Sequence, residues 1–218
     1  ILHGAHVSYK GTEEKKQEPY EINSTWWSAL NGNGADESLR LQVNRFLASR
    51  SIALALKGIP GLYVHGIIGT ENDPEIVRQT GSSRDINRQV IEFANMAKAM
   101  EEPGSKLSII AARSAPLYNA RIRYRAFHPR GEQLVPYLSP DIFVVLRTSP
   151  EGNQHILAIT NITDHETAAI IPLTTIGVGS SQWFDLLSGR GWEISDERLL
   201  IELQPYEVIW LIPADELQ

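Results

Sequence analysis

Gly58–Gly69 reads GIPGLYVHGIIG, one of the longest strongly apolar runs in the chain, with glycines at both ends and Pro60 near its start. That composition suits a strand buried on both faces, as in a parallel sheet. One such strand cannot make a sheet, because its edges and faces need neighbouring strands. No other segment of the first half has this character. The first half therefore reads as the closing part of a larger α/β domain, and the opening ILHGAHVSYKG, which starts at Ile1 rather than Met, reads as a sequence entered mid-domain.

Helical patterns flank the run. Residues 35–57 place Leu39, Val43, Phe46 or Leu47, and Leu54 at helical spacing, with Asp36 as the expected N-cap and Gly58 and Pro60 as the stop. Downstream, Asp85 is expected to cap a helix reaching about Met100, with Ile86, Val90, Ile91, Ala94 and Ala97 on one face. A further helix is expected over 105–126, kinked or split at Pro116. Residues 1–34 show little apolar periodicity and read as a long loop, most solvated at TEEKKQE.

The character changes after His128. Short β-rich runs follow at Asp141–Arg147, His155–Asn161, Ala168–Pro172, Trp183–Leu187, Leu199–Leu203 and Glu207–Ile212, punctuated by Gly, Pro, Asn or Asp. That rhythm predicts an antiparallel sandwich. The expected division is 1–130 for the incomplete α/β part and 131–218 for an all-β domain.

Composition removes several function classes. The net charge is -6, and the 20 Lys and Arg residues are scattered, unlike the clustered cations that phosphate backbones reward. With no cysteine, disulfides and thiolate metal sites are excluded, and a cytoplasmic setting is compatible. No apolar stretch approaches the length of a membrane span, and no signal peptide is visible. The glycine-rich segments lack the dinucleotide and P-loop patterns, and Gly81–Ser83 is not a nucleophile elbow. No cofactor and no metal site is expected; His3 and His6 lack companion ligands.

Several segments taken in order resemble the sucrose phosphorylase group of the α-amylase superfamily. They are PYEINSTWWSAL at Pro19–Leu30, GIPGLYVHGIIGTENDPE at Gly58–Glu75, TGSSRDINRQ at Thr80–Gln89, and RAFHPRGEQ, WFDLLSGR and LQPYEVIWL further on. The resemblance spans nearly the whole chain. It implies the last one to two units of a (β/α)8 TIM barrel, GIPGLYVHGIIG being the eighth strand, followed by a C-terminal antiparallel β-sandwich. Active sites of such barrels lie at the C-terminal strand ends.

The resemblance also implies chemistry. Such enzymes use two carboxyl residues in a retaining double displacement, and in a phosphorylase inorganic phosphate releases the glucosyl group as glucose 1-phosphate. The family's catalytic carboxylates lie on earlier strands, upstream of Ile1. No catalytic residue is assigned here, and the isolated chain is expected to show no turnover. The implied partners are an α-glucoside, inorganic phosphate, the missing N-terminal part of the barrel and, as an option, a second copy in a homodimer. The alternatives are an α-amylase-type hydrolase or transglucosidase, or a non-catalytic carbohydrate-binding module centred on the β-rich half.

Three residues are the main substrate-binding candidates. By resemblance, Arg84 of RDINR holds hydroxyls on the far edge of the glucosyl ring, and its fixed fork of donors suits two neighbouring oxygens. The bland alternative is a structural ion pair. Tyr20 lines the active-site mouth by the same resemblance. Glu21 stands where sucrose phosphorylases carry a glutamine. An ionised carboxylate only accepts hydrogen bonds, and it repels an anion unless a cation stands between. That departure points away from sucrose and towards the glucosylglycerate or sucrose 6′-phosphate phosphorylases; the plain alternative is a rim charge.

The weaker candidates are His6, with His3 and Lys10, for an anionic acceptor, and Asn72 and Asp73 after the apolar run. Surface histidines and turn-forming Asn and Asp are the plain readings. Trp26 and Trp27 read as core rather than sugar platforms, as do Trp183, Trp192 and Trp210.

Overall fold

The computed structural model describes residues 4–11, 18–32 and 36–217. They fall into two compact units, one of residues 1–46 with 62–111 and one of 47–61 with 112–218.

The first unit opens with an antiparallel hairpin, β1 (His6–Lys10) and β2 (Glu18–Asn23), where the sequence reading expects loop. Val7 faces Ile22 and Ser8 faces Glu21; the register then shifts at Tyr9, leaving Tyr20 as the extra residue of a bulge. Helix α1 (Trp26–Leu30) follows, capped by Thr25, whose Oγ1 accepts from Ser28 N at 3.2 Å. It buries Trp27 against Phe46 with ring centroids 5.5 Å apart, while Trp26 stays exposed. Lys106 Nζ lies 4.7 Å from the Trp27 ring centroid and pairs with Glu71 at 2.7 Å.

Helix α2 (Leu39–Ala55) confirms the first helical pattern but not its cap. Ser38 caps it, its Oγ accepting from Leu41 N at 3.3 Å, because Asp36 lies too far from the first turn to reach an orphan N–H.

The apolar run departs from expectation. Residues 58–63 are irregular and Val64–Ile68 forms a short helix, α3. Every strand pairing among the described residues is antiparallel, so nothing completes a parallel ladder along this run. Its amides bond locally instead: Gly66 N and Ile67 N donate to Tyr63 O at 2.8 and 3.1 Å. Its apolar side chains stay partly exposed instead of forming a buried strand, Ile59 at 86% exposure. Gly69 ends α3 at φ 66°, where an added Cβ would stand 2.5 Å from Ile110 Cδ1.

Helix α4 (Pro74–Thr80) is capped by Asp73. The expected helix from Asp85 begins later, as α5 (Phe93–Glu101), and Asp85 sits instead in a 3₁₀ turn at Ser83–Asn87. The Asn87 carbonyl, which a helix would offer to the amide four residues on, accepts from Tyr63 Oη at 3.3 Å. Helix α6 (Lys106–Arg123) starts at Ser105, whose Oγ accepts from Ser108 N at 3.0 Å. Pro116 lies inside it without splitting it.

His65 of α3 is buried, with Nδ1 2.9 Å from Thr70 Oγ1, and burial lowers its pKa. The unfolded chain therefore takes up a proton near the ordinary histidine value while the folded unit resists it. Stability is full above that value and falls as pH drops below about 6.5. Thermal unfolding followed from pH 7.5 to 5 should show this loss, with a flatter profile in His65→Gln. An identical slope in that variant would remove His65 as the cause.

The second unit is mainly sheet. Strands β3 (Glu132–Leu134), β4 (Ile142–Thr148), β5 (His155–Asn161), β7 (Gln182–Asp185), β8 (Gly191–Glu193) and β10 (Val208–Pro213) form one antiparallel sheet in the order β3-β4-β5-β10-β7-β8. Strands β6 (Thr167–Pro172) and β9 (Arg198–Leu203) form a second, with the short helix α7 (Leu173–Ile176) after β6. One core joins both sheets: Val144, Leu157, Ile159, Trp183 and Leu211 from the larger, Ala169, Ile171, Leu199 and Ile201 from the smaller. Strand β9 alternates buried and exposed residues, as expected where one face is solvated.

The central strands are buried on both faces. Trp210 packs on Phe127 with centroids 4.7 Å apart, and its Nε1 donates to Ser51 Oγ at 2.9 Å. Strand β7 stops at Asp185 because its buried carboxylate gathers four donors. Leu187 N, Ser188 N and Ser188 Oγ turn the chain around it, and Trp210 N ties it to β10. That contraction shortens the expected Trp183–Leu187 strand.

Candidate functional site

The site lies wholly within the first unit, where the β1–β2 hairpin meets the 3₁₀ turn carrying Arg84. Alternation along β1 puts His6 and Ser8 on the face that holds Glu21 and Asn23 across the ladder. Asn23 Nδ2 donates to Ser8 Oγ at 2.8 Å and to His6 O at 3.4 Å. The hairpin thus presents a polar strip, and the bulge turns Tyr20 and Glu21 together towards the 3₁₀ turn.

Arg84 engages both. Its Nε donates to Glu21 Oε2 at 2.9 Å and its Nη2 to Tyr20 Oη at 2.8 Å. Its Nη1 is engaged by neither. The group is half exposed, at 52%, with Glu21 at 34%. The hydrogen bond and the charge of Glu21 raise the Arg84 pKa, and the Tyr20 contact adds to them. Arg84 is a cation at every physiological pH, so Glu21 is a neutralised anion. The repulsion that an isolated carboxylate would exert on a second anion is thereby offset. Tyr20, Glu21 and Arg84, separated by more than sixty residues of chain, form one cluster.

The other sequence candidates fall differently. His6 stands on the polar strip, and Lys10 at the far end of β1 opposite Glu18. His3 lies outside the described residues. Asn72 turns its side chain onto the base of the hairpin, accepting from Thr25 N at 2.6 Å. Asp73 is occupied at the start of α4, where Oδ1 accepts from Glu75 N and Ile76 N at 3.0 and 3.2 Å. Asp85, read from sequence as a helix cap, instead meets Arg88 Nη1 at 3.4 Å.

Three residues that sequence reading passed over belong here: Ser8, Asn23 and Asn87. The signal for the first two was the two-residue alternation of HVSYK and EPYEIN. For Asn87 it was its place in RDINR, three residues after Arg84. Among the described residues no cluster of three or more His, Asp or Glu is placed to hold a metal ion, and no helix is long and apolar enough to cross a membrane.

No known protein-family profile matches the sequence. The chain is similar to a glucosylglycerate phosphorylase of Spirochaeta thermophila, 33% identical over 215 residues that cover 96% of this chain and 36% of the relative. It is also similar to a sucrose phosphorylase of Agrobacterium vitis, 34% identical over 110 residues, 50% of this chain and 19% of that one. Among solved structures, an Anoxybacillus α-amylase superposes with a TM-score of 0.58 at 14% identity, over 78% of this chain and 32% of its own. The chain therefore spans about a third of the length of the glucosylglycerate phosphorylase it matches.

Proposed function

We propose that the chain supplies part of the sugar-binding surface of a sucrose phosphorylase-like glycoside phosphorylase of the α-amylase family, a reading supported by its similarity to a glucosylglycerate phosphorylase over 96% of its length and to a sucrose phosphorylase over half of it. The reaction is transfer of a glucosyl group from an α-glucoside to inorganic phosphate, giving glucose 1-phosphate by a retaining double displacement. Arg84 holds the glucosyl ring, and Tyr20 and Glu21 border the acceptor. The nucleophile and general acid come from outside this chain. In this reading residues 1–130 contribute the last one to two units of a (β/α)8 barrel, GIPGLYVHGIIG becomes a strand once neighbours pair with it, and 131–218 form the C-terminal domain. A chain without cysteine suits the cytoplasm.

The observation that carries this reading is the Arg84 cluster. A guanidinium held by two neighbours keeps one edge aimed, so little rotamer freedom is lost when a sugar hydroxyl arrives. Neutralisation of Glu21 by Arg84 supports an acceptor that is itself anionic. Glucosylglycerate leaves such an aglycone, and phosphate is the incoming nucleophile. Sucrose, whose fructosyl group is neutral, gains nothing from it.

The test is glucose 1-phosphate formation by the full-length protein from glucosylglycerate, sucrose and sucrose 6′-phosphate, with and without phosphate. The expected result is phosphate-dependent turnover, fastest with an anionic aglycone. Equal sugar release without phosphate would defeat phosphorolysis, and a preference for sucrose would defeat the assignment of Glu21.

A further inference from the structure

The Asn72 side chain ties together segments on both sides of the hairpin beside the Arg84 cluster. Its Oδ1 accepts from Thr25 N at 2.6 Å and lies 3.2 Å from Ser24 Oγ. Its Nδ2 donates to Gly4 O at 3.5 Å, and its backbone N donates to Ser28 Oγ at 2.9 Å. The amide orientation is fixed by these partners, since a flip would set its Nδ2 against the Thr25 N–H. Gly4 precedes β1, and Ser24 and Thr25 follow β2, so one amide holds both ends of the hairpin.

The other side of the same joint is held from the 3₁₀ turn. Asn87 Nδ2 donates to Ser24 O at 3.2 Å, and Asp73 N donates to Ile86 O at 2.9 Å. Asn72 and the turn bearing Arg84 thus grip adjacent groups of one short hinge, Ser24–Thr25. The hairpin base is pinned to the turn, and its far part meets the turn through Tyr20, Glu21 and Arg84. A hairpin anchored at both points holds its carboxylate and phenol in one place relative to the guanidinium.

We propose that Asn72 is a positioning residue for the Arg84 cluster: it touches no substrate, and it acts by fixing the hairpin base so that Glu21 and Tyr20 stay on Arg84. The proposal rests on the donor-site reading of Arg84 given above. It differs from a sugar contact by Asn72, and also from a purely structural tie, in requiring that the effect of Asn72 vanish when Arg84 is gone.

A double-mutant cycle in the full-length protein separates these. With Arg84 in place, Asn72→Ala should lower kcat/KM for the glucosyl donor about tenfold. In the Arg84→Ala background the same change should cost less than about twofold. The melting temperature should shift equally in both backgrounds. Asn72→Asp keeps the acceptor for Thr25 N and loses the donor to Gly4 O. It should cost about threefold with Arg84 present and nothing without it, and it carries the cycle if the alanine variant does not fold. Equal losses in both backgrounds, or no loss with Arg84 present, overturn the positioning role. An Arg84→Ala enzyme at full rate would instead remove the donor-site reading itself, and a reduced one with additive Asn72 effects would remove this inference alone.

Discussion

Arg84→Ala should lower kcat/KM of the full-length protein for its glucosyl donor about 100-fold, the order of loss when a charged donor to a substrate oxygen is removed. Two effects combine. The ring loses its guanidinium contact, and Glu21, no longer neutralised, faces the acceptor as a bare carboxylate. The second effect gives the variant a signature. Its remaining activity should fall further with an anionic aglycone than with a neutral one, and added salt should recover part of that difference by screening. Arg84→Lys restores the charge but not the fork, since one ammonium on a flexible stem cannot hold Glu21 and Tyr20 and still present an aimed edge. It should recover the salt signature and little of the rate. Steady-state kinetics of both variants at low and high ionic strength are the measurement. Full rate and affinity in a folded Arg84→Ala protein would leave the ion pair as a surface bridge and nothing more.

The legibility of the fold divides with the range of the interactions that decide it. Strand β5, HILAITN, matched its expected bounds, and β4, β6, β9 and β10 fell within about a residue of theirs. These runs are rich in Ile, Val and Leu and end at turn residues, so local composition and burial agree. GIPGLYVHGIIG has the same character, yet a strand is only as real as its partners. With no parallel neighbour among the described residues, the run closes its hydrogen bonds on itself. The hairpin β1–β2 failed in the opposite direction. EPYEIN carries a proline, two glutamates and a bulge, and its pairing partner lies beyond an intervening polar segment, so no window of sequence contains the pair. The site shows the same limit. Tyr20, Glu21 and Arg84 were named through a resemblance, and no spacing rule could place a guanidinium on a carboxylate 63 residues away. Asn72 was named for a ligand contact, whereas its bonds to Ser24 and Thr25, 48 and 47 residues distant, depend on the fold being complete.

The largest loss of stability should come from Arg147, a residue that neither composition nor resemblance marks. Its side chain is fully buried, at 0% exposure, next to the last residue of β4. Each nitrogen of its fork is engaged: Nε donates to Glu132 O at 3.2 Å, Nη1 to Ala55 O at 2.9 Å and Nη2 to His128 O at 2.9 Å. Burial, and secondarily the neighbouring Arg121, push its pKa down to about 10. Two arginines side by side would repel, but both are aimed at the same electronegative feature. Arg121 donates to Leu54 O at 2.8 Å and also to Leu56 O and Gly58 O. The last carbonyls of a helix lack intrahelical partners and carry partial negative charge, and α2 has no basic residue in its own last turn. Arg121 and Arg147 satisfy that end from outside the helix. Arg147→Met fills much of the volume but takes the donor from the buried Ala55 O, while His128 O keeps Gly131 N at 2.9 Å and Glu132 O lies at an exposed residue. The orphaned carbonyl costs about 1–3 kcal/mol and the two lost charge-assisted bonds add to it, so the variant should lose about 2–4 kcal/mol and roughly 8 °C in melting temperature. Arg147→Lys should regain less than half of this, because one ammonium cannot reach three divergent oxygens. Thermal unfolding can be followed by tryptophan fluorescence, to which Trp210, packed on Phe127 in the same unit, contributes. A melting temperature for Arg147→Met within about 2 °C of the parent would mean that water replaces the guanidinium and that the end of α2 needs no cation.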